Sequence, residues 1–348
     1  MSAGPTETAS LPATAPDVQA SVPATQVSLS RVGVTGVEKV IRVRVNGTEH
    51  LYFAEMECFV DLNPKQAGVH MSRFEEVVGE AIDQVVLSEA PFRAETLAAH
   101  IAERVRESQR GLRAEVSVAA RYPETVPAPV SDQPTQEIYT LLGTAVASER
   151  GTRTLTGVEA QGMTACPCAQ EMVAGAARER LAGRGFDSDQ ISEVMEAVPI
   201  ATHNQRGIGT LHVGCTEEAV VDVDARALLR IVEQSMSSEI YELMKRPDEL
   251  SVVEKAHAQP RFVEDCVREM VRRVVADFPG LDAGAFVMAR QENLETIHRH
   301  NVVAERYGTV EELRAELGDG VHRRHHLTMR EWLEQPTMAG SGDTEAPG

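Results

Sequence analysis

Val37-Glu-Lys-Val-Ile41-Arg-Val43-Arg-Val45-Asn46-Gly47-Thr-Glu-His-Leu51 is the stretch whose reading decides the fold. Ile41, Val43 and Val45 alternate with Arg42 and Arg44, which is the period of a strand with one buried face. Asn46-Gly47 then supplies two residues that tolerate positive φ, and a second apolar run follows from Leu51 to Leu62. Asn-Gly between two such runs predicts a tight hairpin, so the folded part opens with two antiparallel strands.

Residues 1–30, ahead of this hairpin, are rich in Ala, Pro, Ser and Thr without apolar periodicity, and are expected to be a disordered tail. Beyond it, Phe74, Val77, Val78, Ala81, Ile82 and Val85 recur at helical spacing. Ser72 is the predicted N-cap, with Glu75 and Glu76 in the first turn. A second helix is predicted over 95–106, and alternation returns over 114–122 and 137–147 across a Pro-rich connection. The second half begins with a strand over 153–163 that runs into Cys166-Pro-Cys168. Helical patterns follow over 169–181, 188–197, 224–234, 239–245 and 262–277, with extended runs at 209–213 and 285–291. Helices segregated on one face of an antiparallel sheet define an α+β class. The element order hints at two related modules, although no sequence repeat is visible.

The charge balance narrows the partners. With 34 Lys+Arg against 53 Asp+Glu, a net charge of −19, the field repels nucleic acid and anionic membranes. A phosphate-bearing ligand therefore needs a local cluster of cations. A single Trp disfavours base-stacking on single strands. Cys58, Cys166, Cys168, Cys215 and Cys266 are irregularly spaced, and no apolar run is long enough to cross a bilayer, so a cytoplasmic setting is expected.

The chemistry concentrates in Gly162-Met-Thr-Ala-Cys166-Pro-Cys168-Ala-Gln-Glu171 and Thr202-His203-Asn-Gln205-Arg206. Thiols and an imidazole are ligands that zinc or ferrous iron prefers. In an extended segment, residues two apart face the same side, so both sulfurs could look into one cavity. Three further clusters are Lys245-Arg246-Pro-Asp248-Glu249, Phe262-Val-Glu264-Asp265 and Glu292-Asn-Leu-Glu295-Thr-Ile-His298-Arg-His300. Each has a plainer reading: a solvated ion-pair face, a helix N-terminal carboxylate pair, and structural histidines. His212, His257, His322, His325 and His326 lack such company and read as surface or core residues.

Taken together and in this order, Gly68-Val-His70-Met-Ser-Arg73-Phe, Cys166-Pro-Cys168, His203-Asn-Gln205-Arg, Lys245-Arg-Pro-Asp-Glu249, Phe262-Val-Glu264-Asp and Asn293-Leu-Glu295-Thr-Ile-His298-Arg-His300 resemble the type IB GTP cyclohydrolase family. The resemblance covers about residues 33–307. The long spacing between Cys166 and His203 is similar to the archaeal-type branch, whose members make 7,8-dihydroneopterin 2′,3′-cyclic phosphate rather than the triphosphate.

The resemblance implies a tunnelling fold, with a first module over 31–150, a second over 151–308 and a C-terminal extension over 309–348. Modules of this kind close into barrels by association, so a homo-oligomer, a tetramer, is expected, with GTP bound between subunits. One divalent transition metal per subunit is implied, Fe²⁺ ahead of Zn²⁺ or Mn²⁺, held by Cys166, His203, Glu249 and His298. Cys168, Glu295 and His300 are the expected catalytic groups. Glu264, Gln205, Arg73, Arg206, Lys245 and Arg246 are expected to bind substrate, with Glu264 on the guanine. Two other classes are the alternatives. A zinc-dependent nucleobase deaminase needs Pro-Cys-x-x-Cys and His-x-Glu, where this chain has Cys-x-Cys and His203-Asn-Gln. A structural or redox metal module would bind metal without turnover.

Overall fold

A computed structural model describes residues 18–45, 48–86, 92–215, 223–321 and 324–335. The first half of the chain runs β1 (Leu29–Val45), β2 (Thr48–Leu62), α1 (Met71–Val86), α2 (Ala94–Gln109), β3 (Arg113–Pro127) and β4 (Pro134–Ser148), the order expected from the sequence. The second begins with β5 (Gly151–Ala165), α3 (Pro167–Ala182), α4 (Ser188–Ala197) and β6 (Asn204–Gly214). It continues through α5 (Ala225–Gln234), β7 (Ser238–Glu239), α6 (Arg246–Ala258) and α7 (Val263–Asp277), then β8 (Phe286–Leu294) and β9 (Val302–Thr309). Two short helices close the described chain, α8 (Val310–Asp319) and α9 (Met329–Glu334).

All strands share one antiparallel sheet in the order β1-β2-β3-β4-β5-β6-β8-β9, with β7 paired to β5. The opening hairpin pairs Val45 with Thr48, while its Asn46-Gly47 turn lies outside the described residues. Alternation explains which face is covered. Tyr52, Ala54, Met56, Cys58 and Val60 of β2 and Ala114, Val116, Val118 and Ala120 of β3 are buried in the core that α1 and α2 complete. Val158, Leu211, Val213, Val287 and Ala289 extend the same core, closed by Leu228 and Val232 of α5 and Met270 and Val274 of α7. Helix and sheet approach closely at Gly143, where a Cβ would stand 2.1 Å from the Ala94 backbone.

The other face carries a smaller cluster of Val146, Leu155, Phe286, Trp332 and Leu333. Trp332 of α9 is fully buried there, donates from Nε1 to Gly284 O at 2.8 Å, and has the Arg153 guanidinium 4.7 Å from its ring. His212 is a core histidine, seated beside Gly157, where a Cβ would come within 2.5 Å of its ring.

Two local expectations need correction. Helix α1 starts at Met71, so Ser72 lies within it rather than capping it, and Glu75 and Glu76 fall beyond the first turn. The periodicity over 239–245 does not form a helix, because Ser238 and Glu239 pair with β5 instead. The helix begins at Arg246, with Pro247 in its first turn and the Asp248 side chain accepting from Lys245 N. Strand β9 had no sequence signal: as an outer strand it has a half-polar burial pattern. No helix among the described residues is long and apolar enough to cross a membrane.

Candidate active site

Ala165 pairs with Asn204 at the ends of β5 and β6, and this register brings Cys166 beside His203 although α3 and α4 intervene in sequence. Cys166 N donates to His203 O at 3.2 Å, and Thr202 Oγ1 donates to Cys166 O at 3.0 Å. Cys166 is the N-cap of α3, its sulfur accepting from Ala169 N at 3.5 Å, and Pro167 opens the helix. The positive end of the helix dipole thus meets the sulfur.

Strand β8 lies beside β6, Arg206 pairing with Leu294, so the segment after β8 returns Glu295 to the same end of the sheet. His203 Nδ1 stands 3.0 Å from Gln205 Oε1 and 4.0 Å from Glu295 Oε2, while Gln205 Nε2 donates to Glu295 Oε1 at 3.4 Å. Gln205, Gln291 and Asn293 are buried polar groups behind this row, with Gln291 Nε2 donating to Asn293 Oδ1 at 3.1 Å. Two imidazoles, His298 and His300, stack with centroids 5.2 Å apart. Helix α7 adds Glu264 in its first turn. Arg261 N donates to Ala165 O at 3.0 Å, which ties this helix start to the Cys166 segment.

These elements enclose a cavity of about 250 Å³ bordered by Cys166, His203, Gln205, Glu264, Glu295, His298 and His300, together with Arg261 and Asn293. The remaining expected site residues lie outside it. Cys168 is exposed, because helix α3 starts at Pro167 and the extended geometry that would align both sulfurs is lost. Glu249, Lys245 and Arg246 are exposed at the start of α6, and Arg206 is exposed on β6, next to buried Gln205 but of opposite strand parity. Arg73 sits on α1, where its Nη1 donates to Ser108 O at 3.0 Å. Sequence reading missed Arg261, whose only signal was its place immediately before Phe262-Val-Glu264-Asp265.

The donor set around the cavity, one thiol and several imidazoles and carboxylates, suits a borderline transition metal rather than Mg²⁺ or Ca²⁺. Among the described residues, no three His, Cys, Asp or Glu side chains already stand at ligating distance within one chain.

Helices packed mainly on one side of an antiparallel sheet, with a thiol, imidazoles and carboxylates around one cavity, define an α+β protein with a donor-rich cavity at the end of its sheet. Residues 15–304 match the family model described as type I GTP cyclohydrolase folE2, and the chain belongs to that family. GTP cyclohydrolase MptA of Methanococcus maripaludis strain C5 is 41% identical over 308 residues, which span 86% of this chain and 97% of the relative. The MptA of Methanothermobacter thermautotrophicus is 40% identical, over 87% of this chain and 96% of the relative. Among solved structures, uricase from Arthrobacter globiformis has a similar fold, with a TM-score of 0.50 at 11% identity over 86% of this chain and 98% of that one.

Proposed function

We propose that this protein is a metal-dependent GTP cyclohydrolase that opens the guanine imidazole ring at C8, releases formate and yields a 7,8-dihydroneopterin phosphate. The observation that carries the reading is the convergence of Cys166, His203, Gln205, Glu264, Glu295, His298 and His300 on one cavity in a chain of this family. The identity to archaeal MptA proteins and the α3–α4 segment between Cys166 and His203 support the 2′,3′-cyclic phosphate over the triphosphate.

Cys166, His203 and His298 would hold a divalent ion, Fe²⁺ ahead of Zn²⁺ or Mn²⁺, with Glu249 as the remaining ligand. Such an ion supplies Lewis-acid activation of water near neutral pH. Gln205 orients the His203 ring through Nδ1, which leaves Nε2 as the ligand atom. Glu264 accepts from guanine N1–H and N2–H, fixing the ring and selecting against adenine. Once water has added at C8, the ring nitrogens must gain protons as the C–N bonds break, and His300 and Glu295 border the cavity where that transfer occurs. Formate then carries C8 away, the ribose rearranges and the pterin ring closes. The cyclic phosphate needs one more bond: the 2′-hydroxyl of the pterin's own ribose-derived chain attacks the α-phosphorus carried on the neighbouring 3′-oxygen, losing its proton, and pyrophosphate leaves.

Because the supporting elements end at β1 and β9, two outer strands are available for pairing with other copies. We infer that copies join along these strands into a barrel, a tetramer, with sites between subunits. Glu249, Arg73, Lys245 and Arg246 of one copy would then complete the cavity of another. Anaerobic reconstitution with Fe²⁺, Mn²⁺ or Zn²⁺, followed by mass analysis of the GTP product and assay of formate and pyrophosphate, tests the reading. Metal uptake without formate would overturn it in favour of a structural site.

A further inference from the structure

Among the described residues, Arg261 is the only lysine or arginine that borders the cavity. Its placement is fixed at two points, by its backbone N–H on Ala165 O at 3.0 Å and by Nη1 on Ser235 O at 3.1 Å. Ser235 is fully buried, so the guanidinium is held by the protein body rather than by another surface side chain. A guanidinium has five N–H donors in a rigid fork, and Ser235 O takes one of them. Glu264 follows three residues later, and both residues border the same cavity.

We propose that Arg261 reads the base: its guanidinium donates to guanine O6 while Glu264 accepts from N1–H and N2–H. This rests on the GTP reading above and adds a specificity-determining residue to it. The pattern is complementary to guanine alone among the common purines. Adenine presents an amino donor at position 6, which would face the guanidinium donors, and lacks the N1–H that Glu264 would accept. Arginine donation to guanine O6 and N7 is the commonest specific contact in base recognition, worth about 1–3 kcal/mol of discrimination. A phosphate contact at this point is disfavoured, because Glu264 and Glu295 border the same space and repel anions.

Guanosine, which has the base and no phosphate, separates the two roles. Its binding to the reconstituted full chain, measured by calorimetry and by inhibition of GTP turnover, is compared for wild type, Arg261→Met and Arg261→Lys. The proposal expects guanosine affinity and the GTP KM to worsen by the same factor in Arg261→Met, roughly 10- to 100-fold. Metal content, thermal midpoint and most of kcat should be kept, and Arg261→Lys should recover part of the affinity. Guanosine affinity unchanged while GTP affinity falls identifies a phosphate contact and overturns the proposal. Loss of metal or of the fold in both variants identifies a purely structural residue and does the same. A wild type that neither binds guanosine nor turns over GTP overturns the GTP reading, and this assignment with it.

Discussion

Ser131, in the connection between β3 and β4, donates both its backbone N–H and its hydroxyl to Asp248 in the first turn of α6, at 2.8 and 2.6 Å. Val130 N donates to the same carboxylate at 2.9 Å and Lys245 N at 2.8 Å, and Asp248 is fully buried. Burial opposes ionisation, but the Ser131, Lys245 and Val130 hydrogen bonds outweigh it and hold the carboxyl well below its usual range. The carboxylate thus fastens the β3–β4 connection to the helix start that carries Lys245, Arg246 and Glu249. Asp248→Ala is expected to lower the thermal midpoint by roughly 5 °C and GTP turnover by more than about tenfold. Ser131→Ala, which keeps both backbone donors, should cost less in each. Melting curves and steady-state rates for the two variants check this; an Asp248→Ala enzyme with wild-type turnover would detach α6 from the site.

Metal content tests the ligand set independently of rate. Cys166→Ala and His298→Ala should each lose tight metal binding together with GTP turnover, since on the proposed assignment each would remove a ligand that the remaining residues cannot replace. Elemental analysis after gel filtration is the measurement, with thermal midpoints as the control for folding. Full occupancy in both variants rules out the assignment. The same analysis on Glu249→Gln decides whether this exposed carboxylate reaches a metal at all.

Glu264→Gln separates substrate binding from metal binding. The amide keeps one acceptor and turns the other into a donor, so it meets one of the two guanine N–H groups with a like group. KM for GTP should rise by roughly 10- to 100-fold, while metal content stays unchanged. If the variant instead loses its metal, Glu264 is a ligand and its role and that of Glu249 have been exchanged.

Half-buried Glu233 and buried His212, both away from the cavity, shift in opposite directions. Burial pushes Glu233 up to about 7, helped by Glu239, Glu137 and Glu124 and opposed by the Tyr139 hydroxyl, which donates to it at 2.8 Å. Its folded pKa lies above the unfolded one, so the favourable contribution is present at low pH and is lost as pH rises from about 4.5 to about 7. Burial lowers His212 to about 4, so its contribution is present above about 6.5 and lost as pH falls toward about 4. Glu233→Gln should therefore stabilise the protein at pH 8, by at most about 3 kcal/mol, and change little at pH 4.5. Denaturant titrations across pH 4.5–8 check the slope, and an unchanged profile would show that Glu233 stays ionised in the fold.

Sequence alone revealed the parts of this molecule whose signals are local. Ile41, Val43 and Val45 alternate before Asn46-Gly47, and Phe74, Val77, Val78 and Ala81 repeat at helical spacing, so the strand and the helix were legible from their periods alone; Ile41 and the four helix residues lie in the core. The chemistry of Cys166 and His203 was equally legible, but their adjacency depends on the pairing of Ala165 with Asn204 across two intervening helices. Strand pairing over that distance leaves no mark in composition or spacing. Arg261 was missed for a related reason: its significance lies in the backbone it touches, Ala165 and Ser235, and not in its neighbours in sequence. Cys168 was misplaced because the step from extended chain to helix falls between it and Cys166, where a proline fits either conformation.

The cations expected to hold the triphosphate are the part of the site that one chain leaves incomplete. Arg206, Lys245 and Arg246 are exposed, Arg73 is half-buried on α1, and none of the four borders the cavity that Arg261 shares with Glu264. At a net charge of −19 the global field opposes GTP, so phosphate affinity has to come from cations gathered locally. Arg73 lies on α1 in the first half of the chain and the other three in the second half, and the proposed association along the outer strands β1 and β9 would let them meet one cavity. Activity should then require the oligomer: diluting the metal-loaded enzyme until it is monomeric by mass photometry should abolish turnover, and restoring the concentration should recover it. In the oligomer, Arg73→Ala and Lys245→Ala should raise the GTP KM and flatten its dependence on salt, because each removes one screened charge–phosphate contact. Guanosine affinity should be unaffected in both, the opposite of the outcome expected for Arg261→Met. A monomer that turns over GTP at the full rate would place the whole site within one chain, and wild-type salt dependence in both variants would assign the phosphates to other residues.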